Sequence, residues 1–481
     1  MNYPIVIKVL GFLLLIEAIT MVPSALISLY YGENDLSAFL ITIAINFVIG
    51  WIMYKIPTSK KSIKVRESMC IVSIGWILFS FFGTLPLFLS GSVPSFINGF
   101  FEMVSGFTTT GATNIQNIEA LPKGILFWRS FSHWIGGMGI LVFTIALLPA
   151  LGVGGFQIFK AESPGPTADR IVPRVKDTAK ILYTLYIGFT FIEIILLVLG
   201  GMSLYDATLH TFGTVGTGGF STRNSSVGAY NSTYINIVIS IFMILSGVNF
   251  SLYYQLIHRR WKDFFKDDEL KLYLGIVGIS TVLIAFNLGD FYDNIGNALE
   301  HALFQVSSII TTTGYATADF DTWPTFSKVV LFTLMFIGGS AGSTAGGIKN
   351  IRIVVLLKLI KREMSMIFHP RAIIPIKLND KAVSSDIIAR IMSFIALYFL
   401  IFVISTIIIS LEGVDLVTAS SAVATCLGNV GPGFALVGPT RTFFEFSGFS
   451  KLLLSFLMLL GRLEIFTLLM LFIPKFWKDE I

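Results

Sequence analysis

Asn98-Gly99-Phe100-Phe101-Glu102-Met103-Val104-Ser105-Gly106-Phe107-Thr108-Thr109-Thr110-Gly111 decides the reading of this chain, because the same pattern returns three more times. The other copies run from Asp206-Ala207 to Thr217-Gly218-Gly219, from His301-Ala302 to Thr311-Thr312-Thr313-Gly314, and from Thr418-Ala419 to Asn429-Val430-Gly431. Each carries a small residue at one distance before its closing glycine (Gly99, Ala207, Ala302, Ala419) and another midway (Ser105, Gly213, Ser308, Thr425). In the second copy Gly218 and Gly219 compete for the closing position. Counting from Asp206, as from Asn98, His301 and Thr418, selects Gly219, and Gly219-Phe220-Ser221-Thr222 also parallels Gly314-Tyr315-Ala316-Thr317. Four quasi-equivalent pieces predict a pore on a pseudo-fourfold axis.

Composition places those pieces in a bilayer. Of 481 residues 54% are hydrophobic and only 13% charged, and the mean hydropathy is +0.79, far outside the range of soluble domains. Long apolar stretches lie at 4–31, 36–56, 67–91, 124–156, 178–201, 231–257, 270–289, 326–360, 387–411 and 447–475, each able to cross about 30 Å of hydrocarbon as a helix. Between members of the later pairs sit shorter segments at 95–110, 203–217, 296–313 and 414–430, too short to span and therefore re-entrant. The expected architecture is all-α and membrane-integral. A two-helix extension (1–60) precedes four helix, re-entrant loop, helix repeats at 61–157, 158–262, 263–365 and 366–481, the third with a broken second helix. The first stretch is too long for a cleavable signal and lacks a small-residue cleavage site. Cys70 and Cys426 stand singly in apolar surroundings and suggest neither disulfide nor metal.

Basic residues set the expected orientation. Lys55, Lys60, Lys61, Lys64 and Arg66 share one side with Lys160, Arg170, Arg174, Lys176 and Lys180, and with His258, Arg259, Arg260 and Lys262. Lys349, Arg352, Lys358, Lys361, Arg362, Arg371, Lys475 and Lys478 join them. Glu33, Asp35, Glu119, Asp319, Asp321, Glu412 and Asp415 occupy the other. Both termini are expected in the cytoplasm, with the four glycine segments entering from outside. The formal charge of +5 is this positive-inside bias and calls for no nucleic acid.

The repeated segment suits ion dehydration. A potassium ion entering a pore exchanges its water shell for oxygens, which rings of backbone carbonyls supply. Aiming successive carbonyls at one axis needs backbone conformations that side chains resist, and a closing glycine permits them. Irregular backbone at membrane depth is tolerated where it lines a wet cavity, and the carbonyl ends of four half-helices add negative potential.

On these residues the chain resembles the Trk/Ktr/HKT superfamily of potassium transporters, and within it the bacterial Trk-type membrane subunits, over essentially its whole length. The resemblance implies a potassium filter at Gly111, Gly219, Gly314 and Gly431 with the preceding Thr109, Thr110, Thr217, Gly218, Thr312, Thr313, Asn429 and Val430. Glycine rather than serine at 111 implies preference for potassium over sodium. It further implies a homodimer in the bacterial inner membrane and a separate TrkA-like cytoplasmic subunit that binds NAD or ATP/ADP and docks on the basic loops. The only ligand implied is K+ as transported ion, with no organic cofactor.

Two features fit a gate. Gly338-Gly339-Ser340-Ala341-Gly342-Ser343-Thr344-Ala345-Gly346-Gly347 cannot stay helical cheaply, since an interior glycine costs about 1 kcal/mol; the competing reading is close packing of small residues. The resemblance makes it a loop beneath the filter, with Lys349 just past it. Arg462, expected near the middle of the last span, is costly at that depth unless it meets water or a partner. Glu464, two positions on, points elsewhere and is a poor direct partner. Arg462 either pairs structurally or projects beneath the filter as an electrostatic barrier.

His210 and His301 on the re-entrant segments fit packing better than metal binding, and Glu102, Asp206 and Glu300 either concentrate cations at the mouth or bond the helix ends. No constellation of nucleophile, acid–base pair or metal ligands points to an enzyme. A proton- or sodium-coupled symporter is the alternative to a channel-like path. Inverted repeats and midplane carboxylates would favour it, whereas here the repeats run in one sense and Arg462 is the only midplane charge the sequence locates.

Overall fold

The computed structural model describes residues 1–58, 63–139 and 175–477, with the side chains of the helix beginning at Val175 described from Ala179 onward. Lys60, Lys61, Lys160, Arg170, Arg174 and Lys478 lie outside the described residues, as do 140–156 of the expected fourth span and the 60/61 and 157/158 divisions. Among the described residues the regular structure is helical apart from one hairpin. Its strands Lys377–Leu378 and Lys381–Ala382 pair antiparallel, with Lys377 opposite Ala382.

Two long helices lead, Tyr3–Tyr31 and Leu36–Tyr54. A left-handed Gly32 ends the first, where a glycine suffers no Cβ penalty. In lipid there is little hydrophobic force between helices, so close approach and van der Waals contact hold them together. Gly11 and Gly50 provide it: a β-carbon built on either would lie within 3 Å of the other's carbonyl oxygen.

Among the described residues one unit then recurs four times: a long helix, a short helix of about three to four turns, and a second helix, which ends at Gly137 in the first copy and breaks in the other three. The short helices are Phe96–Phe107, Leu204–Val215, Ile295–Ile310 and Leu416–Gly428. Ser203, Asn294 and Asp415 cap the last three through side-chain oxygens, satisfying amides that would otherwise be orphaned in the bilayer. Each second helix packs against the short helix of the following repeat, and Gly448–Arg462 of the fourth packs against Phe96–Phe107 of the first, closing a ring. The largest apolar cluster joins the leading helices to the first and fourth repeats through Leu13, Trp76, Phe79, Phe101 and Leu454.

The breaks depart from the spans expected above. The third repeat does break at its glycine run, into Thr325–Ile337 and Asn350–Phe368. The stretch 231–257, expected as one span, is Thr233–Ser246 followed by Phe250–Ile257 at 93°. The last span is not continuous either: Gly448–Arg462 ends, Glu464 turns to φ +62°, and Ile465–Leu469 restarts. Lys123–Gly137 likewise ends where 124–156 was expected to continue. The reason is steric. In the first and fourth repeats the second helix meets the carbonyl end of the short helix here: β-carbons built on Gly136 and Gly461 would fall 1.9 and 2.2 Å from the Phe107 and Leu427 oxygens. In the second, Gly247 is crowded by the Tyr273 hydroxyl and the Thr311 side chain. Arg462 therefore sits at a helix C-terminus, where a cation complements the exposed carbonyls, and not in mid-helix.

Candidate functional site

The four short helices end alike. Thr109, Thr217, Thr312 and Asn429 adopt φ of +55, +55, +55 and +56°. The next amide (Thr110, Gly218, Thr313, Val430) donates to the carbonyl of the midway small residue (Ser105, Gly213, Ser308, Thr425) at 2.9, 2.7, 2.8 and 2.8 Å. The amide before it donates to Gly106, Thr214, Ile309 and Cys426. This is the Schellman closure, whose left-handed position usually holds glycine or asparagine. Threonine holds it three times, at a cost of about 1–2 kcal/mol each. The sequence reading assigned conformational freedom to the closing glycine alone and missed this second left-handed residue in each copy.

The closing glycines follow, with Gly111, Gly219, Gly314 and Gly431 at φ +80, +80, +84 and +104°. Their positive φ puts Gly219 in the register of the other three. The four turns interlock. A β-carbon built on Gly111 would lie 2.1 Å from the Gly218 oxygen, one on Gly219 1.9 Å from Thr313 O, one on Gly314 2.3 Å from Val430 O, and one on Gly431 2.6 Å from Thr110 O. Each repeat thus touches the next and the fourth touches the first. The threonines and Asn429 are fully buried, while one cavity opens onto all four glycines. Backbone oxygens crowded round one axis can replace a cation's hydration shell.

Asn429 Nδ2 donates to Thr110 Oγ1 (3.0 Å) and to Met458 O (2.9 Å), tying the fourth turn to the first. Behind the first turn lies a buried pair the sequence reading did not find. Arg129 bonds Glu102 Oε1 through Nη2 at 2.6 Å and Nε at 2.9 Å, while Thr113 Oγ1 and Asn114 N donate to the same carboxylate. Arg462 is therefore not the only charge at depth, and Glu102 is fully buried rather than part of the mouth. Arg129 also covers the Phe220 ring at 4.1 Å. A charge inside an apolar span was the available signal. Asp206 accepts from Thr222 Oγ1, and Glu300 from Asn236. His210 bonds Asp206 O and Ser221 Oγ, and His301 bonds Thr317 Oγ1. Among the described residues no group of three metal-ligating side chains converges. Removing one partner of a buried ion pair costs about 3–5 kcal/mol. Glu102→Ala is therefore expected to lower the melting temperature of the detergent-purified protein clearly. An unchanged melting temperature would mean that Arg129 finds another acceptor.

The glycine run lies directly against these turns. Gly346 N donates to Thr312 Oγ1 at 2.6 Å, and a β-carbon on Gly346 would meet Gly428 O at 2.6 Å. Gly338, Gly342, Gly347 and Lys349 have positive φ. A β-carbon on Gly339 would lie 2.6 Å from Ala345 Cβ, and Ser343 Oγ donates to Ser340 O within the run. Arg462 donates from Nη1 to Thr344 O (2.8 Å), and from Nη2 to Gly136 O and to Gly137 O (3.0 Å). It therefore bridges the run to the helix break of the first repeat. Buried Lys349 turns its ammonium back to Ala345 O. Glu464 pairs with Arg352, whose guanidinium lies 3.8 Å over the Phe394 ring.

Comparison with known proteins agrees with this geometry. Residues 35–479 match the family model described as TrkH, cation transport protein. The chain is 39% identical to the Trk system potassium uptake protein TrkH of Salmonella typhimurium, over all of both chains. It is 36% identical to the Trk system potassium uptake protein TrkG of Escherichia coli K12, over 99% of each. The crystal structure of the potassium transporter TrkH from Vibrio parahaemolyticus superposes with a TM-score of 0.89 at 35% identity, covering 99% of this chain and all of that one. The chain belongs to the TrkH family of cation transport proteins, membrane transporters and not enzymes.

Proposed function

We propose that this chain carries potassium across the bacterial inner membrane through a central path, with a filter formed by the backbone at Thr109–Gly111, Thr217–Gly219, Thr312–Gly314 and Asn429–Gly431. The observation that carries the reading is the cyclic contact of each closing glycine with the carbonyl preceding the next one. The names of the relatives support potassium as the ion. The gate in this reading is the Gly338–Lys349 segment: Gly338, Gly339, Gly342, Ser343, Gly346, Gly347 and Lys349, held by Arg462. Its contact with Thr312 supports that role. The two leading helices and four repeats act as a homodimer with both termini in the cytoplasm, and a TrkA-like nucleotide-binding subunit docks on the basic side. Support for the orientation is the segregation of lysine and arginine.

The second reading is proton- or sodium-coupled symport. Fully buried Glu17 and Glu193, carboxylates at depth that the sequence reading did not weigh, are the observation in its favour. Potassium and sodium fluxes into liposomes holding the full chain, with no imposed proton or sodium gradient, separate the two. Potassium moving down its own gradient, faster than sodium, is the expected result. No movement until a proton or sodium gradient is applied would replace the channel-like path by symport.

A further inference from the structure

The intramembrane segment is fastened at a point unconnected with Arg462. Ala341 N, near its start, and Ile351 N, just past its end, both donate to one atom, Glu269 Oε1, at 2.7 and 2.8 Å. Glu269 is 6% exposed and lies in the first turn of the helix Asp268–Asn287. A buried carboxylate must be bonded or neutralised, and amide donors to a carboxylate make short, charge-assisted bonds that low dielectric strengthens.

Its neighbours hold it in place. Asp267 Oδ1 caps the helix at Leu270 N (2.8 Å). Asp268 Oδ2 accepts from Lys358 Nζ at 2.6 Å, on the helix that follows the glycine run. The hairpin tip closes over both: Asn379 Nδ2 donates to Asp267 Oδ2 (2.7 Å), and Asp268 N donates to Asn379 Oδ1 (2.9 Å). Asn379 and Asp380 have φ of +47 and +64°, as a tight two-residue hairpin turn of the I′ type requires. The three consecutive acids thus have separate tasks, and only Glu269 faces the glycine run.

We propose that Glu269 is the positioning residue that latches the intramembrane segment under the four-glycine ring, one carboxylate oxygen tying its entry at Ala341 to its exit at Ile351. The proposal rests on the gated-path reading above. With both ends held at one atom, residues 342–350 form a closed loop, and the two bonds limit how far the segment that carries Thr344 can swing from Arg462. The latch is itself anchored outside the segment, through Asp267 and Asp268, by the hairpin tip. Displacement of that hairpin would therefore reach the gate without touching the filter.

The test measures potassium and sodium fluxes in liposomes, without proton or sodium gradients, for wild type, Glu269→Ala, Glu269→Gln and Arg462→Ala. Loss of two charge-assisted bonds in Glu269→Ala is expected to raise basal potassium flux by roughly tenfold or more, with the potassium-to-sodium ratio unchanged. Glu269→Gln keeps an oxygen in place without the charge and falls between. Flux at or below the wild-type level in Glu269→Ala, while Arg462→Ala leaks, overturns the latch and leaves the gated path standing. A raised flux accompanied by lost selectivity also overturns it, because the residue would then support the whole pore. Silence of every variant until an ion gradient is applied overturns the gated path and the latch with it. Should Glu269→Ala fail to fold, Glu269→Gln and Asn379→Ala decide: both are expected to leak, and wild-type flux in both overturns the latch.

Discussion

Gly219→Ala is expected to abolish selective potassium transport, and no second substitution of a side chain is expected to restore it. The added β-carbon would sit 1.9 Å from Thr313 O and 3.0 Å from Thr313 C, more than an ångström inside ordinary contact, and the obstruction is backbone. The φ of +80° adds about 1–2 kcal/mol of strain for any residue with a β-carbon. Relief requires the second and third turns to part, which pulls the carbonyls off the axis; in preorganised sites a shift of about 1 Å costs roughly 100-fold. Gly218→Ala makes the informative contrast. There the β-carbon would strike the His133 ring at 2.2–2.6 Å, a side chain held by one bond to Gly106 O. Gly218→Ala should accordingly regain potassium flux when combined with His133→Ala, while Gly219→Ala with His133→Ala stays inactive. Competition between potassium and sodium for entry into liposomes reads both. Wild-type selectivity in Gly219→Ala would remove that glycine from the ring and reopen the register of the second copy.

That register was legible because it rests on counting, which tertiary structure leaves untouched: thirteen positions from Asp206, as from Asn98, His301 and Thr418, reach the glycines that carry positive φ. The short helices were legible because length alone forbids them to span. Breaks in the second helices were harder. Between 231 and 257 hydropathy stays high, and the local marks are slight: Gly247, where Thr311 and Tyr273 crowd the backbone, and Asn249, whose side chain caps the next helix. The third repeat betrayed itself only by spending several glycines where the second and fourth manage with fewer. Threonine at the left-handed position runs against its own propensity, so a tertiary demand, the interlocking of four turns, outweighed the local rule. Glu102 and Arg129 stand 27 positions apart and meet across two helices, a pairing that periodicity does not encode. Asp267-Asp268-Glu269, by contrast, was visible as three acids within the basic side of the chain and went unread.

Arg462→Ala is expected to leave the filter intact and to raise downhill potassium flux by about two orders of magnitude. The guanidinium fastens Thr344 O on one side and Gly136 O and Gly137 O on the other, joining the glycine run of the third repeat to the helix break of the first. Hydrogen bonds from a charged donor contribute about 1.5–3 kcal/mol each. Losing the link to Thr344, together with a fixed cation beneath the ring, amounts to about 3 kcal/mol against the closed arrangement, or roughly 100-fold in its population. The charge and the bond can be separated. Arg462→Lys keeps a cation but not the fork that reaches two acceptors in different directions, whereas Arg462→Gln keeps a donor and removes the charge. If restraint of the run is the main effect, both variants leak to intermediate degrees. If repulsion of the ion dominates, Arg462→Lys behaves as wild type and Arg462→Gln as alanine. Selectivity is the control in each case, since Arg462 touches none of the four closing turns directly in the contacts above. Equal flux in wild type and Arg462→Ala, with the potassium-to-sodium ratio preserved, would mean that the run is held shut elsewhere, and Glu269 is the first place to look because its two bonds lie at the ends of the segment that Arg462 grips in the middle.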